Sequence, residues 1–449
     1  MSPIRSEHDF QHLVDVMGNM PFVRRYIVLC LCFELSDPTQ NVIDSALRLP
    51  LQRLGDAFPY LAGRVVIEGL RKGNSGICKV VPYHSSVPLE VKDLSHNPAT
   101  ATFQGLKAAK YPFSLLDSNQ LAPRSASTWD QDPGSDKVAP VLILQANLIK
   151  GGLILTFSGN HTIMDMTGLG LVIGLFAKAC RGELFSNEDL ERGNQAKGAA
   201  VPLLDGYQRG PELDDVFINS SGPSLRSDAS PRWVYWNISA ASLGRLKDEA
   251  SRHMSVAYIS TDDAVAALAW QAITRARQNR LGAGVRSYFA RPCSMRKYLG
   301  LQGYIGHMVD TLYEEEVDVW KLPLGEVASS LRRMLQREEQ IKHHVRAVAT
   351  MLDRLEDKSV IINGSQLDPN RDVVLSSYAN IRCCELSFGA LLGIPDAARR
   401  PRMPVWPSLC YLMPKSKDGD MAIAICLDED DLSLMCKDSI VNEYASYIG

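Results

Sequence analysis

The sequence has no C-x-x-C pair, and none of its ten cysteines joins histidine at the spacing of a zinc site. It has no phosphate-binding G-x-x-x-x-G-K loop, no G-x-G-x-x-G and no serine or cysteine in a nucleophile-elbow sequence. Charge of one sign is not in excess: 48 Lys and Arg against 51 Asp and Glu leave −3, which speaks against a nucleic-acid or polyanion partner. No apolar run approaches the ~20 residues of a membrane span; the nearest, Tyr26 to Phe33, has the length and β-branched or aromatic content of a buried strand. The N-terminal residues MSPIRSEHDF are polar and acidic, unlike a secretory or Arg-rich transit sequence. These absences leave a soluble globular protein with no bound metal or cofactor. Cys30, Cys32, Cys78, Cys180 and Cys426 lie inside apolar segments, which fits buried free thiols in a reducing, cytoplasmic setting. Cys383 and Cys384 suit a strand better than a disulfide.

What is present is alternation of strand and helix, in 449 residues that provide for two or three domains. Strands are expected at Tyr26–Leu35, Gly63–Glu68 and Cys78–Pro82, with an amphipathic helix over Pro38–Phe58. Leu116 to Lys137 is rich in Ser, Asp and Pro and reads as a loop. Two apolar segments, Val138–Ile149 and Leu153–Ser158, are joined by Lys150-Gly151-Gly152, a hairpin signal. A helix follows at about Thr167 to Cys180, with Leu169, Val172, Ile173 and Phe176 as its apolar stripe. Arg181 to Pro231 is polar and aperiodic and reads as a crossover. Beyond it, helices are expected at Ser239–Arg252, with Ser239 as N-cap, at Ser260–Arg277, and over one long stretch from Pro323 to Leu355. Strands are expected at Val285–Ala290, Val373–Ser376, near Arg382–Leu386 and at Ala422–Leu427.

The chemistry concentrates in Gly159-Asn160-His161-Thr162-Ile163-Met164-Asp165, which follows an apolar strand and precedes a helix. A histidine at a strand end can face a cleft, and its ordinary pKa lies nearest neutrality, so it can take and return a proton. Asp165 has two readings. It orients His161 as in a triad, or it points inward from a helix start and pairs with an arginine. The seven residues alone are equally compatible with a core histidine and a capping aspartate.

Four stretches in one order add weight: Phe58-Pro59-Tyr60-Leu61-Ala62-Gly63-Arg64; His161-Thr162-Ile163-Met164-Asp165 with Gly168; Ile259-Ser260-Thr261-Asp262-Asp263-Ala264 through Trp270; and Leu386-Ser387-Phe388-Gly389 with Leu392-Gly393-Ile394-Pro395 and Arg399-Arg400-Pro401. With Met413-Pro414 and Asp418-Gly419 they span nearly the whole chain. In these segments the chain resembles the BAHD acyltransferases, in particular the fungal, trichothecene 3-O-acetyltransferase-like branch that acetylates secondary metabolites. There are departures. Ser387 stands where the family usually has Asp, Ala390-Leu391 replace Trp-Gly, Cys293-Ser294-Met295-Arg296 replaces V-D-x-R, and His307 stands where many members carry Asn.

The resemblance implies an α/β fold of two chloramphenicol-acetyltransferase-like domains, each a mixed sheet flanked by helices, with the active-site channel between them. The expected division is 1–190, a linker at 191–231, and 232–449. It implies a monomer that uses acetyl-CoA as co-substrate, a small-molecule acceptor, and neither nucleic acid nor membrane. His161 is the expected general base. Asp165 is expected to give structural support by pairing with Arg296, or failing that Arg291. The expected coenzyme A contacts are Ser260, Arg286, Lys297, Ser376 and Ser377, with Arg291 as a further basic candidate. The expected acceptor contacts are Tyr304, His307, Tyr378 and Phe388. Two other readings stand beside this: a condensation-domain-like enzyme fed by a carrier protein, against which Asn160-His161 counts because those domains usually carry two consecutive histidines, and an inactive relative that only binds a small molecule or a partner.

Overall fold

A computed structural model describes residues 10, 14–36, 43–123, 138–195, 198, 200–218 and 224–449. In chain order its strands are β1 (Tyr26–Glu34), β2 (Arg64–Glu68), β3 (Ile77–Val81), β4 (Leu89–Asp93), β5 (Ala139–Pro140), β6 (Leu142–Ile149), β7 (Gly152–Asn160) and β8 (Pro231–Ile238). There follow β9 (Arg286–Ser294), β10 (Val309–Val317), β11 (Val373–Ser377), β12 (Ala397–Arg399), β13 (Leu409–Leu412), β14 (Met421–Asp428) and β15 (Ala445–Tyr447). Among the described residues they form a five-stranded sheet in the order β12-β1-β7-β6-β4, a seven-stranded sheet in the order β10-β9-β11-β13-β14-β8-β15, and a small sheet β3-β2-β5.

The first sheet is built around β7, every residue of which is buried, hydrogen-bonded between β1 and β6. Its apolar start, Leu153-Ile154-Leu155, and the small buried polar residues Thr156 and Ser158 beyond it suit a strand covered on both faces. The β6–β7 hairpin turns through Lys150-Gly151, where Gly151 takes φ +80°, a region open to a residue without Cβ. In the second half, Ser260 and Asp263 close a capping box at the start of the helix Thr261–Leu281, which lies against β11 and the helices Ala240–Arg252 and Leu324–Met334.

Segments pack across the boundaries expected at 190 and 231. β12, far along the chain, pairs with β1 and covers its edge. Cys383, Cys384, Phe388 and Leu392 pack in the core of the first sheet, while Met17, Met20 and Val23 pack in that of the second. Other local expectations also differ. Arg382–Leu386 is no strand; Cys383–Glu385 forms a 3-10 turn with both thiols buried. The helix over 323–355 is two, Leu324–Met334 and Glu338–Arg354, and the carbonyl of Leu335 between them accepts from the Tyr298 hydroxyl at 2.8 Å. Residues 38–42 of the helix expected over Pro38–Phe58 lie outside the described residues. Its remainder winds as a π turn, Asp44–Arg48, before Leu49–Ala57. Pro50 has no N–H to offer the Ala46 carbonyl, which accepts instead from the Cys180 thiol at 3.5 Å. Among the described residues no helix is long and apolar enough to cross a membrane.

Candidate active site

His161 is the first residue beyond β7, in a tight turn before the helix Met166–Cys180. Its N–H donates to the Arg25 carbonyl at 2.8 Å, which ties the turn to the start of β1. Its Nδ1 lies 3.0 Å from the Met164 carbonyl. A carbonyl only accepts, so Nδ1 carries the hydrogen and Nε2 keeps its lone pair. Burial pushes the pKa of His161 well below that of an ordinary histidine, reinforced by His307 and Arg25 against the smaller upward pull of the Met164 carbonyl and Asp165. The ring is therefore neutral and able to accept a proton at neutral pH.

Asp165 caps the same helix through the N–H of Gly168 (2.8 Å), but its carboxylate is turned toward the second half of the chain. Both its oxygens engage Arg296, at 2.8 and 3.0 Å, and the N–H of Met308 adds a third partner at 2.8 Å. Burial alone would raise the Asp165 pKa; the guanidinium and these N–H groups hold it below the ordinary carboxyl value. The other donors of Arg296 go to the carbonyls of Tyr304 and Gly306 and to the Ser294 hydroxyl. The backbones here approach so closely that a Cβ on Gly168 would meet the Ile305 carbonyl oxygen at 2.2 Å.

His307 hangs beside this pair. Its Nδ1 lies 2.8 Å from the His161 carbonyl, so it too is a donor there, and the two rings stand 4.7 Å apart. Burial lowers its pKa as well. Its backbone N–H donates to Asp15 at 2.9 Å, and Asp15 also accepts from the Tyr304 hydroxyl.

Two cavities meet at this point. The smaller, about 380 Å³, is lined by His161 and His307 together with Arg25, Tyr378, Trp406 and Tyr411. The larger, about 1150 Å³, has a basic wall that includes Lys178, Arg181, Arg192, Lys297, Arg332 and Lys415. Thr167, Pro292, Ser294, Ser377 and Tyr378 line both, so the two adjoin, with His161 on the smaller side. Among the described residues no group of three or more His, Cys, Asp or Glu side chains is arranged to hold a metal ion.

The residues singled out in the sequence fall unevenly around these cavities. Ser260, Lys297 and Ser377 line the larger cavity; Ser376, Ser377, Tyr378 and His307 line the smaller. The Ser377 hydroxyl is committed to Asp262. Four assignments need correction. Arg291 lines the larger cavity but pairs with Asp262 and Asp263, so it is not the partner of Asp165. Arg286, at the outer end of β9, is exposed, pairs with Glu315 and lines neither cavity. Tyr304 is fully buried with its hydroxyl on Asp15, and Phe388 packs against Phe33 and Phe176; neither lines a cavity. Sequence reasoning missed Arg25 and Trp406. For Arg25 the usable signal was its place next to β1: Tyr26 pairs with Asn160, so the next pair outward is Arg25 and His161.

The chain has full-length relatives among known proteins. Residues 119–440 match the Transferase family, and residues 25–180 match the trichothecene 3-O-acetyltransferase-like N-terminal domain. The chain belongs to the Transferase family, the BAHD acyltransferases. Within that family, trichothecene 3-O-acetyltransferase TRI101 of Fusarium sporotrichioides is 36% identical, over 99% of this chain and 98% of its own. The O-acetyltransferase dmxR13 of a Cryptosporiopsis species is 37% identical over 99% of both. The crystal structure of F. graminearum TRI101 with coenzyme A and T-2 mycotoxin superposes with a TM-score of 0.92 at 33% identity, covering 98% of this chain and all of that one. The two-domain family architecture is thus shared along the whole length.

Proposed function

We propose that this acyltransferase moves an acetyl group from acetyl-CoA to a hydroxyl of a small secondary metabolite, with His161 as general base. The observation that carries the reading is the neutral His161 ring, with Nε2 unprotonated, on the smaller of two cavities that meet beside it. Full-length relatives named as O-acetyltransferases supply the substrate class. They also leave the carrier-protein and inactive-binder readings without comparable support.

The acceptor enters through the smaller cavity and the thioester through the larger. As the acceptor oxygen attacks the thioester carbonyl, Nε2 takes the hydroxyl proton, a contribution of about 10²–10⁴ in rate. The tetrahedral intermediate expels the coenzyme A thiolate as the C–S bond breaks. The imidazolium returns the proton to that sulfur, so the products are ester and free thiol. Lys415 and, on exchange of their present carboxylate partners, Lys178, Arg192, Lys297 and Arg332 are the cations that would meet the phosphate groups through charge-assisted hydrogen bonds. Of the serines, Ser376 is the coenzyme A contact we retain, since the Ser260 and Ser377 hydroxyls are held by Asp263 and Asp262; His307 and Tyr378 are the acceptor contacts we retain. Asp165 and Arg296 hold the turn rather than take part in proton transfer. We propose a cytoplasmic monomer that acts without a nucleic-acid or membrane partner; its ten unpaired cysteines fit a reducing compartment.

Thiol release from acetyl-CoA, followed by mass spectrometry across hydroxylated terpenoids and polyketides, tests the reading. A product heavier by one acetyl group, formed with one thiol released per ester, is expected. Absence of transfer to every acceptor, with coenzyme A still bound, would favour the inactive-binder reading.

A further inference from the structure

The smaller cavity holds one cation without an ion-pair partner. Its acids are engaged: Asp165 by Arg296, Asp372 by Arg371 and the N–H groups of Tyr288 and Asp368, and Asp368 by the backbone and side-chain amides of Asn370. Arg25 lines the same cavity, and among the described residues its guanidinium has neither ion pair nor hydrogen bond. It stands over the rings of Phe22 and Trp406, 5.5 and 5.2 Å from their centres. Behind the opposite wall lies a second cation without a carboxylate, Arg400. It donates to the Tyr378 hydroxyl at 3.1 Å and lies 4.5 Å over the Tyr411 ring. The lining therefore sets an unpaired guanidinium and aromatic rings beside the base, with Asp165, Asp368 and Asp372 already held by their own partners. Arg25 is only half-buried, so its unused donors remain open to a ligand that enters the cavity.

Resting on the acyl-transfer reading above, we propose that Arg25 is the acceptor-selecting residue, and that the acceptor is a planar aromatic hydroxy compound bearing an anionic oxygen. That oxygen, a carboxylate or the conjugate base of an acidic phenol or enol, binds the guanidinium. The ring system lies between Trp406 and the Tyr378–Tyr411 stack, whose rings are 5.1 Å apart. Arg25 and His161 are the next pair outward from the Tyr26–Asn160 pair, so their side chains share one face of the sheet. The anion is thus held within one residue spacing of the base. Binding has a second effect. Arg25 is among the charges that lower the basicity of His161, so an acceptor that neutralises it makes the base stronger at the moment of use.

The test compares hydroxynaphthoic acids with their methyl esters, and 4,7-dihydroxycoumarin, whose 4-hydroxyl is an acidic enol, with its 4-methyl ether, on wild type, Arg25→Leu and Arg25→Lys. Affinity is read by isothermal titration calorimetry and acetylation by thiol release. Wild type is expected to prefer at least one anionic member by about ten- to a hundredfold, the range of a charge-assisted hydrogen bond. Arg25→Leu is expected to lose that preference and Arg25→Lys to keep part of it. The two pairs distinguish a carboxylate from an enolate. Equal binding of every anion and its neutral partner by wild type, or an unchanged preference in folded Arg25→Leu, overturns the proposal. Should Arg25→Leu not fold, Arg25→Gln carries the same comparison. Preferential anion binding with no thiol released by any acceptor leaves the Arg25 assignment standing and refutes acetyl transfer instead.

Discussion

Replacing Asp165 with Ala removes the point at which the two halves of the site are fastened. Its carboxylate accepts two bonds from Arg296 and one each from the N–H groups of Met308 and Gly168, all between 2.8 and 3.0 Å. Arg296 is buried, and without Asp165 it keeps only carbonyls and a hydroxyl as partners, with no counter-charge. Breaking a buried pair on one side costs about 3–5 kcal/mol, and the lost helix cap adds about 1 kcal/mol. At about 2.1 cal/mol/K of unfolding entropy per residue, this chain unfolding as one unit would melt about 4–6 °C lower. Differential scanning calorimetry at neutral pH reads the shift. Because the pair lowers the Asp165 pKa, its stabilisation is present above the unfolded carboxyl value and is lost as pH falls through the folded one. The gap between wild type and Asp165→Ala therefore narrows in acid. An Asp165→Ala protein that melts within about 1 °C of wild type at neutral pH would refute this reasoning, since it would leave the buried guanidinium at no cost.

The acid limb of kcat/KM is expected below the ordinary histidine range, because burial, His307 and Arg25 all disfavour the imidazolium; a pH–rate profile checks it, and Arg25→Leu should move the limb upward. Gly168→Ala would drive a Cβ into the Ile305 carbonyl and is expected to cost about 1–3 kcal/mol, read as a lower Tm with reduced kcat. His344 sits 2.7 Å from Asp310; burial opposes its charge, but Asp310 and Asp215 prevail and raise its pKa to about 11. Its stabilisation is full below the ordinary histidine pKa and fades as pH climbs toward the raised one, so wild type should lose its advantage over His344→Gln between neutral and strongly alkaline pH in thermal melts.

Local signals were legible in the sequence where short-range physics decides. The apolar start of β7, the Gly151 turn and the Ser260 cap each determine their own element, and together they put His161 at a strand end. What escaped depends on distant partners. The three residues of β12 carry too short a pattern to declare a strand; pairing with β1 makes them one. The break at Leu335 has no Gly or Pro and is accompanied by a bond from Tyr298. Tyr304 and Phe388 stand close in sequence to His307 and Ser387, yet their side chains turn into the protein. Arg25 reads as an ordinary charge at a strand start until the register sets it opposite His161.

The most direct measurement is turnover of His161→Ala with acetyl-CoA and a competent acceptor, alongside thermal melting and coenzyme A affinity. The account predicts kcat lower by about 10²–10⁴ with folding and coenzyme A binding near those of wild type. Near-normal turnover by a folded His161→Ala protein would contradict it.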